Sequence, residues 1–310
     1  MALDLSKLAD YTSEASGEHL SATIMEADTA KFIASNGTLM VGVKNSEFIP
    51  FLDGDVTIQA DGEGNCGRNP IGNTSFDLGK INVVQLKSEE NLCPKKLNKK
   101  WLNSLLRAGS QPYTEMIFAN QIMALKANKI SVLNEMAIWG GDVDSTNANL
   151  NKFDGFIKKF GEQNIQVLPA GETLTARLQN ALLTIPQHIK SADDFYIVLS
   201  HQDAELLKLE QARANYFKEG EAEKLFGTNA RIIAVKGLEN KDLFWYGRGR
   251  SYVLGTDLMG ELEGEGASME YSFETQNIYL DYHWALGVEL IFKNELYVFK
   301  KEASAPEGGE

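Results

Sequence analysis

The stretch that decides the fold is PYTEMIFANQIMALKANKISVLNEMAIWGG, residues 112–141. Its apolar residues recur mostly at spacings that suit one face of a helix. Pro112 is well placed for a first helical turn, and Gly140 and Gly141 end the pattern. We predict a helix from Pro112 to Trp139, which would be ~40 Å long at ~1.5 Å per residue. A helix of this length would act as the spine of a domain.

A glycine-rich segment, residues 39–97, precedes the predicted spine helix. Two β-prone pieces, Val56–Ile58 and Lys80–Leu86, stand between its turns and predict a long two-stranded hairpin. Its apolar content looks sparse, and an isolated hairpin is marginally stable in water. We therefore expect the hairpin to lie on another surface, and a neighbouring subunit is the natural candidate. The turns are Leu52-Asp53-Gly54-Asp55, Asp61-Gly62-Glu63-Gly64-Asn65 and Pro70-Ile71-Gly72-Asn73.

The first 35 residues predict an amphipathic helix or an extended arm, interrupted at Ser16-Gly17. Their N-terminal end lacks the apolar core of a signal peptide, so we expect the chain to fold in the cytosol of the cell that makes it. The apolar positions of this stretch include Leu3, Leu5, Leu8, Leu20, Ile24 and Met25.

Downstream of the spine, helical and strand patterns alternate from Ile165 and predict a compact α/β unit. Ser200 followed by Asp203 is typical of a helix N-cap. The chain then ends in apolar strands. The predicted elements are a helix Thr173–Ile185, a buried strand Phe195–Leu199, a helix from Ser200 to Phe217, a strand Arg231–Val235, an extended stretch Leu243–Leu254, and strands in Ala267–Ile278, Val288–Phe292 and Leu296–Phe299.

Composition limits the function classes. The chain has 310 residues, 43% of them hydrophobic, and a formal net charge of −13. That charge argues against a free nucleic-acid binder, which needs clustered Lys and Arg to contact phosphates. It allows a container whose acidic lining lets packed DNA slide, which we treat as a hypothesis. No apolar run approaches the ~20 residues that span a bilayer, so we expect no membrane partner.

Motifs for catalysis are weak. Ser200-His201-Gln202-Asp203 holds the three triad residue types, but adjacency is not triad geometry and no GxSxG elbow surrounds the serine. Helix capping is the favoured interpretation. None of the four histidines stands in a HExxH pattern. We expect no catalytic residues and no cofactor.

Two further segments resemble ligand loops only in part. Asp142 to Asn147 begins like a calcium loop, but Asn147 and Phe153 occupy the positions that need Gly and Glu, so a simple turn is favoured over a metal site. Gly247-Arg248-Gly249-Arg250 lacks the Lys-Ser/Thr of a phosphate loop. We predict a hairpin turn there, in which Arg248 and Arg250 could also meet a neighbour's carboxylates.

The two cysteines, Cys66 and Cys93, are too few for a disulfide scaffold and too far apart for a usual zinc site. Two reduced thiols are the favoured interpretation. The alternative is a Cys66–Cys93 bond that forms later, in an extracellular particle.

The order of arm, glycine-rich hairpin, spine helix, α/β unit and returning strands resembles the α+β fold of Hong Kong 97-type phage capsid proteins, the Johnson fold. The chain is similar to major capsid proteins of tailed phages of Bacteroidetes-type hosts, including relatives of the crAss-like group. The segments that carry this resemblance are Val41-Gly42-Val43-Lys44, Asn65-Cys66-Gly67-Arg68-Asn69-Pro70, Leu92-Cys93-Pro94-Lys95-Lys96-Leu97, Ile138-Trp139-Gly140-Gly141-Asp142, Leu150-Asn151-Lys152-Phe153-Asp154-Gly155-Phe156 and Gly255-Thr256-Asp257-Leu258.

The resemblance implies a division of the chain. By this resemblance, the chain would consist of an arm (1–38), an extended loop (39–97), a peripheral domain with the spine (98–164), an axial domain (165–266), returning strands (267–301) and a flexible tail (302–310). The extended loop would drape over the adjacent subunit, and the axial domain would contribute a loop contact through Arg248 and Arg250. The loop residues expected at the subunit contact are Asp53, Gly54, Asp61, Gly64, Cys66, Arg68, Asn69 and Pro70.

The implied partners are copies of the chain itself, in pentamers and hexamers, together with portal and scaffolding or decoration proteins. Such a head would enclose double-stranded DNA without sequence-specific binding, and the protein would reside in the virion. Two alternatives stay open. An encapsulin-like compartment would keep the fold and enclose cargo enzymes. A soluble enzyme or binding protein would instead be a monomer or small oligomer with a polar pocket.

Overall fold

The computed structural model describes residues 28–58, 71–93, 113–214, 224–257, 267–272, 274–275 and 277–301. Its helices are α1 (Asp28–Asn36), α2 (Tyr113–Gly140), α3 (Phe156–Phe160), α4 (Leu174–Thr184), α5 (Gln187–Lys190) and α6 (His201–Arg213). Its strands are β1 (Thr38–Val41), β2 (Ser46–Asp55), β3 (Asn73–Asn82), β4 (Val84–Leu92), β5 (Gln166–Val167), β6 (Phe195–Ser200), β7 (Arg231–Val235), β8 (Leu243–Arg248), β9 (Tyr252–Asp257), β10 (Ala267–Ser272), β11 (Asn277–Leu290) and β12 (Tyr297–Lys300).

The predicted spine helix is confirmed as α2, with 28 residues. Its last turn is the most buried part, because Ala137, Ile138 and Trp139 enter the main core. The Trp139 ring lies 5.2 Å, centroid to centroid, from both Phe156 of α3 and Trp245 of β8. The C-terminal end of the spine is therefore anchored in an aromatic cluster.

The first sheet is organised around the long strand β11. Strand β4 pairs along one side of β11, and β10 and β9 pair along the other. Strand β1 extends this sheet in parallel with β9. The sequence patterns predicted strands only near the two ends of β11, although its side chains at Ile278, Leu280, Tyr282, Trp284 and Leu286 are all buried at period 2.

The second sheet has the strand order β5-β12-β8-β6-β7. The buried strand predicted at Phe195–Leu199 is confirmed as β6, all of whose residues are buried. Its alternate side chains enter two different cores. Ile197 and Leu199 contact the core formed with α4 and α6, and Tyr196 and Val198 contact the core formed with the spine. A strand covered on both faces explains the uninterrupted apolar run.

Helices α4 and α6 begin at side-chain caps, of which the one at Ser200 was predicted. Thr173 Oγ1 accepts from the Ala176 backbone N–H at 3.2 Å, and Ser200 Oγ accepts from the Asp203 N–H at 3.1 Å. The carboxylate of Glu210 also accepts from the first backbone N–H groups of α4, at 2.8–3.0 Å. Helix α6 ends at Arg213, before the predicted end at Phe217, which lies outside the described residues.

The stretch Leu243–Leu254 is not one extended element, which corrects the prediction. A short 3₁₀ turn, Gly249–Ser251, separates β8 in the second sheet from β9 in the first, so Gly247–Arg250 forms a junction between sheets rather than a hairpin turn. The physical reason is contact with α1. A Cβ on Gly249 would stand 2.5 Å from the Asn36 carbonyl oxygen, so the chain turns where only glycine fits.

The glycine-rich segment contains the predicted hairpin at different boundaries. Strands β2 and β3 pair antiparallel from Ser46 opposite Asn82 to Asp55 opposite Asn73. Val56–Ile58, predicted as a strand, is not one. The predicted strand Lys80–Leu86 is divided at Val83, because β4 leaves the hairpin to pair with β11. Only part of residues 39–97 therefore forms the hairpin.

Candidate inter-subunit surface

The inner face of the hairpin is attached to the body of the protein. Ile49 and Ile81 are buried in a small core with Val83, Val253 and Ala285. Gly287 of β11 allows this close approach, since a Cβ there would lie 2.1 Å from the Asn82 carbonyl oxygen.

Arg250, at the junction between the sheets, contributes to the hairpin attachment. Its guanidinium carbon lies 4.7 Å from the centre of the Phe292 ring. Phe292 in turn contacts Phe51 of β2 edge to face, with ring centroids 5.3 Å apart. The inner face of the hairpin is thus supported through both aliphatic and aromatic contacts.

The outer face of the hairpin is apolar and exposed. Cross-strand partners share a face, so Leu52 and Phe76 are neighbours, and Phe48 lies opposite Lys80. The Lys80 ammonium stands 6.0 Å from the centre of the Phe48 ring. The four large side chains of this face, which we call the hairpin apolar face, are Phe48, Leu52, Phe76 and Leu78, with 61%, 66%, 64% and 52% of their surface exposed.

The hairpin apolar face corrects one premise of the sequence analysis. The hairpin is not poor in apolar residues, because Phe48 and Leu52 alternate with Ile49 and Phe51 along β2. A strand with apolar residues on both faces is typical of one that is covered on both sides. The run Phe48-Ile49-Pro50-Phe51-Leu52 carried this signal, which the glycine-rich turns obscured.

The predicted contact residues of the loop lie mostly beyond the described part of the chain. Gly54 is in β2 opposite Thr74, and the backbone of Asp53 pairs with Ser75. Their role in a subunit contact stays a prediction. The residues outside the described ranges are Asp61, Gly64, Cys66, Arg68, Asn69 and Pro70.

The cysteine prediction is also untested. Cys93 is half-buried just after β4, and Cys66 lies outside the described residues. The structure therefore does not bear on a Cys66–Cys93 bond.

The two arginines of the junction contact carboxylates of their own chain. Arg248 Nε donates to Asp194 at 2.8 Å, and Arg250 Nε donates to Glu295 at 2.9 Å. Arg248 also approaches Glu295 at 3.6 Å. They lie where the two sheets meet. A contact with a neighbour's carboxylates stays a prediction.

The residues of the triad-like motif serve the helix cap. Ser200 Oγ donates to Asp203 at 2.6 Å while accepting from its N–H, so both groups are engaged at the start of α6. The His201 imidazole contacts Asp28 of α1 instead, at 3.0 Å. In the ranges that the structure describes, no three His, Cys, Asp or Glu side chains converge as metal ligands. None of the described helices is long and apolar enough to span a membrane.

The segment that resembles a calcium loop, residues 142–147, forms ion pairs with a lysine from α3. The Lys158 ammonium lies 2.5 Å from Asp142, 2.7 Å from Asp144 and 3.1 Å from Asp154. Its hydrogen bonds to these carboxylates raise the pKa of Lys158, and the bond from Lys158 lowers the pKa of Asp142. The Lys158 ammonium therefore joins the carboxylates of the turn that follows the spine helix.

Comparison with known proteins identifies the fold. No family model matches the chain, and no curated protein matches it. Several solved phage capsid structures do. The satellite phage P4 procapsid, which includes the size determination protein, matches with a TM-score of 0.57 and 11% identity over 92% of this chain and 90% of that one.

Two further phage structures agree with this match. Microbacterium phage Oxtober96 has a TM-score of 0.55 and 10% identity over 87% of this chain and 90% of that one. Gordonia phage Cozz has a TM-score of 0.55 and 10% identity over 88% of this chain and 87% of that one. The chain has the α+β, Hong Kong 97-type fold of these capsid proteins, as predicted.

Proposed function

We propose that this chain is the major capsid protein of a tailed bacteriophage and that its role is structural rather than catalytic. The hairpin apolar face carries the proposal. Four large apolar side chains exposed on the outer face of the hairpin form a surface of the kind that marks a protein contact. The capsid fold supports the same role, since such chains function in assemblies.

The energy available from the hairpin apolar face suits a repeated contact. Full burial of one large apolar side chain contributes about 1.5–3 kcal/mol, so covering four half-exposed ones contributes several kcal/mol. Identical subunits in a ring make heterologous contacts, in which a projection of one copy meets a different surface of the next. Many such contacts sum to a stable shell.

The finer assignments belong to the same proposal. The subunits form hexamers and pentamers, and the closed head encloses double-stranded DNA in the virion, together with portal and scaffolding or decoration proteins. The loop that joins β2 to β3, with Asp61, Gly64, Cys66, Arg68, Asn69 and Pro70, would extend the contact made by the hairpin. The relation to phages of Bacteroidetes-type hosts, including the crAss-like group, rests on the sequence segments quoted above.

Assembly of a matched pair of variants tests the proposal. Phe48→Ser/Phe76→Ser removes half of the hairpin apolar face, and Val143→Ser changes a side chain that is 53% exposed elsewhere. Sedimentation should show rings or shells for the unmodified chain and Val143→Ser, and folded monomers for the double variant. A chain that stays monomeric under all assembly conditions, or a double variant that assembles normally, contradicts the proposal.

The contents of purified particles separate the phage head from the encapsulin-like alternative. Double-stranded DNA inside particles made during phage production supports the head. Particles that contain a cargo enzyme and no DNA would replace the proposal with a protein compartment.

A further inference from the structure

A second apolar surface runs along the outer side of the spine helix α2. Leu125 is 56% exposed, and Leu133 and Met136 are each 39% exposed. Spacings of 8 and 3 residues place these side chains on one side of a helix. Lys129 lies between them, exposed, and forms no ion pair within the described ranges. We call these four residues the spine stripe.

The start of helix α1 is attached to the last turns of the spine helix, at the end of the spine stripe that carries Met136, through the buried side of α2. Helix α1 begins at Asp28, and the backbone N–H of Thr29 donates to both carboxylate oxygens of Glu135, at 3.2 Å each. The Thr29 hydroxyl also donates to Glu135 and accepts from Trp139 Nε1 at 2.6 Å. The start of α1 is therefore attached at the turn of α2 that also carries Met136.

The composition of residues 1–27 complements the spine stripe. The segment has five acidic residues and one lysine, and the stripe has an unpaired lysine. Its apolar residues would match the apolar members of the stripe. The stripe is ~17 Å long from Leu125 to Met136 at ~1.5 Å per residue, so 27 residues reach along it even as a helix. The larger apolar residues of the segment include Leu3, Leu5, Leu8, Leu20, Ile24 and Met25.

We propose that residues 1–27 lie on the spine stripe of their own chain, with their acidic side chains near Lys129. The chain connection at Asp28 makes this contact intramolecular, so its effective concentration is high even if each contact is weak. This inference concerns a single chain and does not depend on assembly into a shell.

Hydrogen–deuterium exchange of the full chain tests the inference. Peptides from residues 1–27 should exchange more slowly than an unstructured chain. Leu133→Asp/Met136→Asp should raise their exchange rate about tenfold or more, because it removes the apolar contact. Lys129→Glu, a milder surface change, should raise it in the same direction. Leu183→Asp on α4, where the side chain is 78% exposed, is the matched control and should leave it unchanged.

Three results would overturn the inference. One is exchange of residues 1–27 at the unstructured rate in the unmodified chain. Another is equal protection in the unmodified chain and in folded Lys129→Glu and Leu133→Asp/Met136→Asp. The third is protection that disappears on dilution, which would assign the stripe to a second copy. Unchanged intrinsic tryptophan fluorescence, to which the buried Trp139 and Trp245 contribute, verifies that each variant is folded.

Discussion

Glu135 on the spine helix accepts from the backbone N–H of Thr29, the second residue of helix α1, because both of its carboxylate oxygens lie 3.2 Å from the Thr29 nitrogen. The Glu135 side chain is buried, with 1% of its surface exposed. A negative charge at a helix N-terminus is favourable, but its burial is costly. This pair joins the start of α1 to the core of the protein.

Glu135→Gln should change how stability depends on pH. Burial raises the pKa of Glu135 above the ordinary 4.5, and the hydrogen bonds from Thr29 oppose this only in part. The raised pKa stabilises the folded state below pH 4.5, and this contribution is lost as pH rises through the folded pKa. Gln keeps an acceptor for Thr29 and does not titrate. Denaturation between pH 4 and 8 should show Glu135→Gln gaining stability relative to the unmodified chain as pH rises; a constant difference would contradict this.

Glu135→Ala should lower the free energy of unfolding at every pH. It leaves the buried Thr29 N–H without its acceptor, which costs about 1–3 kcal/mol. Urea denaturation followed by tryptophan fluorescence measures the loss, since Trp139 donates to the same threonine. Equal stability of Glu135→Ala and Glu135→Gln at pH 7 would mean that the bond to Thr29 contributes nothing.

Lys158→Met should lower thermal stability at neutral pH by leaving Asp142, Asp144 and Asp154 without their shared cation. Because the pKa of Asp142 is lowered in the folded state, the ion pair with Lys158 stabilises the fold above pH 3.8. This stabilisation is lost as the pH falls through the folded-state pKa of Asp142. The difference in melting temperature from the unmodified chain should therefore shrink below pH 3.8. Lys152→Met, an exposed lysine of the same turn, is the control and should melt like the unmodified chain.

Gly287→Ala should loosen the base of the hairpin. The added Cβ would meet the Asn82 carbonyl oxygen, and forcing apart a packed contact of this kind costs about 1–3 kcal/mol. Gly79→Ala is the matched control, since a Cβ there finds its nearest atom at an ordinary 3.6 Å. Amide exchange in β2 and β3 should increase in the first variant only. Equal exchange in both variants would show that Gly287 does not seat the hairpin.

Much of the fold follows from local sequence patterns. The spine helix, the cap at Ser200 and the buried strand β6 each have a periodicity or a capping residue that tertiary contacts reinforce. Local patterns do not predict the elements whose ends are set by tertiary contacts. Gly249 turns the chain between sheets because Asn36 lies close by, and β11 is continuous because β4, β9 and β10 surround it. Neither neighbour can be read from the local sequence.

The sequence predicts the segment that contains the candidate surface but not the side chains that form it. The glycine-rich turns predict a contact at residues 53–70, whereas the exposed apolar side chains lie on the strands, at Phe48, Leu52, Phe76 and Leu78. Which face of an apolar strand is inward depends on how Ile49 and Ile81 pack against β9 and β11, and that packing involves residues more than 150 positions away in sequence.

A cryo-electron-microscopy map of the assembled protein tests the central claim most directly. The account predicts a closed icosahedral shell in which Phe48, Leu52, Phe76 and Leu78 of each copy are buried against an adjacent subunit. A shell in which these four side chains face solvent, or a protein that forms no shell under any assembly condition, would contradict it.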